Sequence, residues 1–257
     1  MTPRQKIRYI TKWIRDYAKK HRISTLVVGV SGGIDSAVVS TLCAETGLPT
    51  VVVSMPIRQS AHTHSLSQRH CDWLVGHYEN VTGYTIDLTS TFDQFEQAMK
   101  YHTSELAFAN SRARLRMTCL YQVAQSVSGI VVGTGNKVED FGVGFFTKYG
   151  DGGVDISPIA DCMKTEVWAM GESLGVDPDI ISAAPTDGLW ADGRTDEDQL
   201  GMSYIDLEQA MVDDESGSAI IDTDRRQRWH KYRAIRSRNI HKMMPIPVCE
   251  MPRDGQA

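Results

Sequence analysis

The chain has 257 residues, enough for one large α/β domain with a substantial core or for two small ones. Its 41% hydrophobic and 23% charged residues are ordinary for a soluble globular protein, and a formal net charge of −5 gives no reason to expect nucleic acid as a partner. The cysteines Cys43, Cys71, Cys119, Cys162 and Cys249 are odd in number and never spaced Cys-x-x-Cys, which argues for a reducing cytoplasm and against a disulfide frame or a zinc ribbon.

Met-Thr-Pro-Arg-Gln-Lys-Ile-Arg at the start contains no apolar leader run, and no stretch approaches the length needed to cross a bilayer. A cytoplasmic protein with no membrane partner is expected. Residues 3–21 carry Ile7, Ile10, Ile14, Tyr17 and Ala18 on one helical face with Lys and Arg opposite, which predicts an amphipathic helix laid against a core or a partner chain. Thr-Leu-Val-Val-Gly-Val over residues 25–30 is a β-branched apolar run of the kind that forms a buried parallel strand. Ile34, Ala37, Val38 and Leu42 then fall at helical spacing, up to the stop Gly47-Leu48-Pro49. Strands follow at 50–55, 81–86 and 129–133, separated by helices at 58–77, 89–101 and 104–127. This alternation predicts βαβ units and a parallel sheet in an α/β fold.

From residue 138 to 158 the pattern changes. Phe141-Gly-Val-Gly-Phe-Phe-Thr-Lys-Tyr-Gly-Asp-Gly-Gly153 is too rich in glycine for a regular element and too aromatic for a disordered linker. A long irregular stretch inside a compact domain is usually functional. Helices are predicted again over 164–174, from Asp177-Pro178 up to Pro185, over 196–211 and over 220–240, with a second glycine-rich loop at 186–195 and an extended tail after Met243.

Between the first strand and its helix lie Gly29, Val30, Ser31, Gly32, Gly33, Ile34, Asp35 and Ser36. Adjacent glycines let the backbone turn sharply, so that successive N–H groups point into one concavity at the positive end of the following helix. The bland reading is a helix N-terminus with a serine N-cap and a first-turn Asp. Neither a Walker A string nor Gly-x-Gly-x-x-Gly occurs in the loop, whereas Gly29-Val-Ser-Gly-Gly33 also fits the Gly-x-Ser-x-Gly nucleophile elbow of α/β-hydrolases, which would make Ser31 a nucleophile. Ser31-Gly-Gly-Ile-Asp-Ser36, with two hydroxyls, two glycines and a carboxylate, resembles the pyrophosphate-binding loop of the N-type ATP pyrophosphatases, which split ATP between its α- and β-phosphates. That resemblance implies that Ser31 and Ser36 donate to phosphate oxygens and that Asp35 holds Mg²⁺, a cation that prefers oxygen ligands.

In an open parallel sheet the site lies at the carboxyl ends of the strands, so the loops after Val30 and Gly133 are expected to share a rim. Glu139, five residues past Thr134, then joins Asp35 as a second carboxylate for Mg²⁺, with Lys148 and Lys164 as cations. His62-Thr-His64 and His70-Cys71 have metal-ligating residue types. On a helix, however, each pair diverges, and solvent-facing or locally bonded histidines are expected.

Four further strings occur in order after the loop: Asn110-Ser-Arg-Ala-Arg-Leu-Arg-Met117, Gly133-Thr-Gly-Asn-Lys-Val-Glu139, Gly144-Phe-Phe-Thr-Lys-Tyr-Gly-Asp-Gly-Gly153 and Ala184-Pro-Thr186. Together they resemble the NAD synthetases, which amidate deamido-NAD with ATP and ammonia, and the resemblance covers nearly the whole chain. It implies a doubly wound parallel sheet flanked by helices, of the adenine nucleotide alpha hydrolase-like kind. It also implies ATP contacts at Gly29 to Ser36, Thr134, Lys164 and Thr186, metal ligands at Asp35 and Glu139, and deamido-NAD contacts at Arg114, Lys148, Asp155, His241 and Lys242. Arg112, Arg114 and Arg116 lie two apart, so a helix cannot turn all three toward one ligand, and one or two are expected to face solvent or pair with acids. Gly133-Thr-Gly-Asn-Lys137 looks closer to the synthetase part of glutamine-dependent relatives. About two dozen residues precede the first strand, too few for the separate glutaminase domain of those relatives, so a single synthetase domain over 1–257 using free ammonia is expected.

The expected chemistry is attack of the nicotinate carboxylate on the α-phosphorus, then of ammonia on the acyl-adenylate, with Asp35 and Lys164 as the principal charged groups. Rival readings are another adenylating amidase or thiolase built on the same loop, a serine hydrolase using Ser31, and a non-catalytic nucleotide-binding module. Relatives of this family work as homodimers, which makes the first helix and the long helix at 104–127 candidate contacts.

Overall fold

The computed structural model describes residues 1–251 apart from Asp187, Ala191, Asp192 and Ser218, and excludes the side chains of Ala61 and His62. In chain order the elements are α1 (Pro3–His21), β1 (Thr25–Gly29), α2 (Ile34–Glu45), β2 (Thr50–Ser54), α3 (Ala61–His77), β3 (Val81–Thr85), α4 (Thr89–Ala98), α5 (Glu105–Ser126) and β4 (Gly129–Val131). A π-helical segment, Lys137–Val143, follows, and then α6 (Lys164–Leu174), α7 (Pro178–Ser182), α8 (Asp196–Leu200), α9 (Tyr204–Ser216) and α10 (Thr223–Met243).

The strands form one parallel sheet in the order β3-β2-β1-β4. The chain therefore winds outward from β1 through β2 to β3, then returns to place β4 on the other side of β1. The strand order reverses between β1 and β4, and that is where a doubly wound sheet opens a crevice. Alternate residues feed two cores. Leu26 and Val28 pack with Ile10 and Ile14 of α1, with α2, and with Val167 and Met170 of α6. Val27, Val51, Val53 and Val131 pack with Phe92 of α4 and Met117 and Leu120 of α5. Both faces are covered, which is why these strands read as unbroken apolar runs rather than as alternations.

The apolar face of α1 is spent on this chain's own core, since Ile14 is fully buried and Ile10 and Ala18 nearly so. A third cluster lies beyond the sheet. Val138 and Val143 of the π-helical segment pack there with Leu207 and Met211 of α9 and with Tyr232 and Ile235 of α10.

Several expected boundaries move for local reasons. The helix expected over 58–77 begins at Ala61, because the Ser60 hydroxyl accepts from Thr63 N at 3.2 Å and caps it there. The single helix expected over 196–211 is two, because Gly201 takes a left-handed φ of 63° and Ser203 starts a new N-cap. The helix expected over 220–240 starts later, at the Asp222 cap, and runs on to Met243. The stretch after residue 137, expected to be irregular, opens as a π-helix: Asn136 accepts from both Val138 N and Glu139 N, and Gly144 ends the segment at φ 66°.

Of the histidine group, His70 ends in packing and His64 is half-buried at the cavity wall. His62 lies outside the described side chains, and among the described residues no three His, Cys, Asp or Glu converge as a metal cluster. His70 is buried between α3 and α2, with Nε2 3.0 Å from the Ser40 hydroxyl. Ser40 in turn donates to Ser36 O at 2.7 Å, so His70 backs the first turn of α2.

Two outcomes are expected from this packing. Ile14→Ala should cost about 2–5 kcal/mol in urea unfolding, while Tyr9→Ala on the exposed side of the same helix should stay within about 0.5 kcal/mol. Burial lowers the His70 pKa from 6.5 to about 4, so below pH 6.5 the unfolded chain takes up a proton that the folded chain refuses. The stability this neutral histidine contributes is complete above pH 6.5 and is lost as the pH falls toward 4, by on the order of 3 kcal/mol. His70→Gln should remove that slope from a pH series of unfolding curves.

Candidate active site

The loop after β1 is shaped by its own hydroxyls and glycines. Gly32 has φ of 92°, and a Cβ there would lie 2.8 Å from the Thr63 carbonyl oxygen, so a bare backbone is required under α3. The Ser36 hydroxyl donates to Gly33 O at 2.9 Å and accepts from Ser31 N at 3.1 Å, while Ser31 Oγ accepts from Gly33 N at 3.2 Å. Ser36 therefore spends its proton inside the loop and is buried, whereas Ser31 is exposed. Gly33 is the N-cap of α2 and supplies no side-chain cap, which leaves the N–H groups of the first turn facing outward. A helix N-terminus in this state is an anion site.

That turn opens onto a cavity of about 750 Å³. The loop Gly29 to Ser36, Thr134 beyond β4, Glu139, Lys164, Thr186 and Lys242 all line it, so the two strand-end loops share the expected rim. At its floor three charged side chains meet from three elements. Lys164 at the start of α6 donates from Nζ to Asp35 Oδ2 at 2.5 Å and to Glu139 Oε1 at 2.9 Å, and it is 1% exposed. Asn136 Nδ2 donates to Asp35 Oδ1 at 3.1 Å, and the Tyr204 hydroxyl donates to Glu139 Oε1 at 2.5 Å and to Asp196 Oδ2 at 3.2 Å.

Burial raises the Asp35 carboxyl, and the pull of Lys164 only partly offsets that and the repulsion from Glu139. Burial also acts on Glu139, but Lys164 and the Tyr204 hydroxyl outweigh it and hold that carboxyl below its usual range. Burial alone would lower Lys164; the two carboxylates keep it protonated, above its ordinary value. The tyrosine hydroxyl is pushed well up by burial and by Glu139, so it acts as a donor.

Of the other expected contacts, Arg114, Lys148, Asp155 and His241 lie apart from the cavity lining. Arg114 Nε donates to Lys148 O at 3.2 Å and Lys148 Nζ to His241 O at 3.3 Å, which ties α5, the glycine-rich segment and the end of α10 together. Lys242 Nζ donates to Phe146 O at 2.8 Å and is the member of this set that reaches the cavity wall. Asp155 accepts from Val131 N at 2.7 Å and from the Tyr121 hydroxyl at 3.2 Å, which places it at the β4 edge, beside a groove of about 640 Å³ along α5.

The three arginines of α5 do diverge, as their spacing requires, and each donates to a backbone carbonyl, Arg116 also to Gln59 Oε1 at 3.3 Å. Arg112 donates to Leu189 O, Arg116 Nε donates to Met55 O at 3.0 Å, and Arg114 bonds Lys148 O. Of the loop expected at 186–195, Asp187, Ala191 and Asp192 lie outside the described residues. Arg116, Asp140 and Asp151 also line the cavity, and Asn136 and Tyr204 bond its acids, though none of the five was among the expected site residues. Asn136 had a signal, since an Asn just before Glu139 is an N-cap type, whereas Tyr204 lies 65 residues from Glu139 and had none.

The donor set suits a hard divalent cation. Two mostly buried carboxylates converge on one point, with no imidazole or thiolate in the trio.

Comparison with known proteins identifies relatives over most of the chain. The family model for NAD synthase matches residues 6–245. The NH(3)-dependent NAD(+) synthetase of Mesoplasma florum is 39% identical over 222 residues, covering 83% of this chain and 88% of that one. The solved NMN synthetase from Francisella tularensis superposes with a TM-score of 0.86 at 30% identity, over 98% of this chain and 100% of its own. An NH3-dependent NAD synthetase from Campylobacter jejuni superposes with a TM-score of 0.79 at 24% identity, over 97% and 100%, and shares the fold. With its phosphate loop, its buried lysine between two acids and a match that spans almost every element, the chain belongs to the NAD synthase family.

Proposed function

We propose that the protein amidates deamido-NAD to NAD with ammonia and ATP through an acyl-adenylate, releasing AMP and pyrophosphate. The observation that carries this is the meeting, in one cavity, of an uncapped helix N-terminus and a lysine held between two carboxylates. A nicotinate carboxylate oxygen attacks the α-phosphorus, the bond to the bridging oxygen breaks, and pyrophosphate leaves with that electron pair. Ammonia then adds to the acyl carbon, expels AMP and loses a proton.

The N–H groups of the α2 first turn and the Ser31 hydroxyl hold phosphate oxygens, with Thr134 and Thr186 on the same rim. Lys164 neutralises charge on the departing pyrophosphate. Asp35 and Glu139 are the residues that would hold Mg²⁺, which supplies charge neutralisation at the phosphates when bound. Ser36 keeps the loop in shape. Arg114, Lys148, Asp155, His241 and Lys242 take the deamido-NAD, the cations serving its phosphates. Catalysis of this kind is mainly positioning and charge stabilisation, and no enzyme nucleophile is needed. In this reading the chain works as one synthetase domain in the cytoplasm, as a homodimer.

A second reading follows from a specific observation: the NMN synthetase is matched at 30% identity, the Campylobacter NAD synthetase at 24%. In that reading the same chemistry runs on nicotinate mononucleotide. The relatives at 32–39% identity named as NAD synthetases favour the dinucleotide.

One assay separates the readings. With ATP, Mg²⁺ and ammonium, stoichiometric NAD, AMP and pyrophosphate are expected from deamido-NAD, and greater kcat/KM on nicotinate mononucleotide would transfer the assignment to the second reading. Asp35→Asn should lower pyrophosphate release on the order of a hundredfold or more with an unchanged circular dichroism spectrum.

A further inference from the structure

The lysine between the carboxylates raises a question of occupancy. Lys164 Nζ bonds Asp35 Oδ2 and Glu139 Oε1 at once. Each acid has a further partner: Asp35 Oδ1 accepts from Asn136, and Glu139 Oε1 also accepts from the Tyr204 hydroxyl. The seat between the two acids, which a divalent cation needs, is taken by the Lys164 ammonium group. Two buried carboxylates need a counter-charge, and this one is built in. The same ammonium is the group assigned to the leaving pyrophosphate, and while it bridges the two acids a cation cannot occupy the point between them.

We propose that Lys164 and the divalent cation share one seat: the lysine holds Asp35 and Glu139 until nucleotide arrives, then swings to the phosphates and gives the carboxylates to the metal. Metal and nucleotide are thereby coupled through the chain's own side chain, and free metal does not load the empty site. The ordering suits an enzyme with an exposed phosphate loop, because an acid pair already filled with metal would trap inorganic phosphate or pyrophosphate. The proposal rests on the reading of Asp35 and Glu139 as the metal carboxylates and of the loop as the phosphate cradle.

The test uses Mn²⁺ and α,β-methylene-ATP. By electron paramagnetic resonance titration without nucleotide, Lys164→Met should bind Mn²⁺ about tenfold or more tighter than the parent. Adding Glu139→Gln to that variant should remove the gain. Lys164→Gln, whose shorter amide preserves a neutral polar group, carries the same expectation if the methionine variant is insoluble. In crystals, the anomalous Mn²⁺ peak of the variant should fall where Nζ sits in the parent. In the parent with α,β-methylene-ATP, the peak should lie at the carboxylates with Nζ moved onto a phosphate oxygen. A parent that binds Mn²⁺ without nucleotide as tightly as the variant overturns the shared seat. So does a nucleotide complex with Mn²⁺ on Asp35 and Glu139 and Nζ unmoved, although the metal reading then stands. Mn²⁺ bound away from both acids in the nucleotide complex would sink the metal reading itself.

Discussion

One buried ammonium group joins the parts of this site. Lys164 leaves the first residue of α6, Asp35 the first turn of α2, and Glu139 the π-helical segment, and their three side chains meet with the lysine 1% exposed. Each acid alone at that depth would be driven toward its neutral form, and the lysine alone toward loss of its proton. Together each offsets the burial cost of the others, so removing one partner leaves the rest uncompensated. The trio therefore fixes the relative placement of the sheet, where α2 sits, and the third cluster, where the π-helical segment sits.

The π-helical segment makes that placement possible. Single-turn π segments concentrate at functional sites because their wider spiral re-aims side chains without breaking the helix. Here Val138 and Val143 point into the third cluster while Glu139 turns to Lys164. Gly142 lets α9 come close, since a Cβ there would lie 2.7 Å from Met211 Sδ. The Tyr204 hydroxyl at the start of α9 then reaches Glu139. The third cluster is thus a frame for one carboxylate.

The two halves of the expected ligand set are held differently. The phosphate loop, the acids and Lys164 sit in a cavity whose walls come from strand ends and helix starts, elements with little freedom. Arg114, Lys148 and His241 are joined by bonds to backbone carbonyls along the outer side of the glycine-rich segment. The trio is held inside the cavity, while Arg114, Lys148 and His241 are held to one another at its outside.

From the sequence alone came the α/β alternation, the parallel sheet, the glycine turn between β1 and α2, the termini of α1 and α6 and the family. These are local properties: apolar periodicity, cap residues and glycines at turns are readable within a few positions. The pairing of Glu139 with Asp35 was legible too, because each follows a strand end and a switch point brings strand ends together. Tertiary structure alone decided that Lys164 lies between those acids, that Tyr204 and Asn136 hold them, and that α1 spends its apolar face on its own core. It also decided the π-helix, which a glycine- and aromatic-rich string concealed. The reason is distance along the chain: Lys164 and Asp35 are 129 residues apart, Asn136 and Asp35 101, and Tyr204 and Glu139 65. No local pattern encodes which buried charges will meet across such gaps; only the packing of the sheet against its third cluster does.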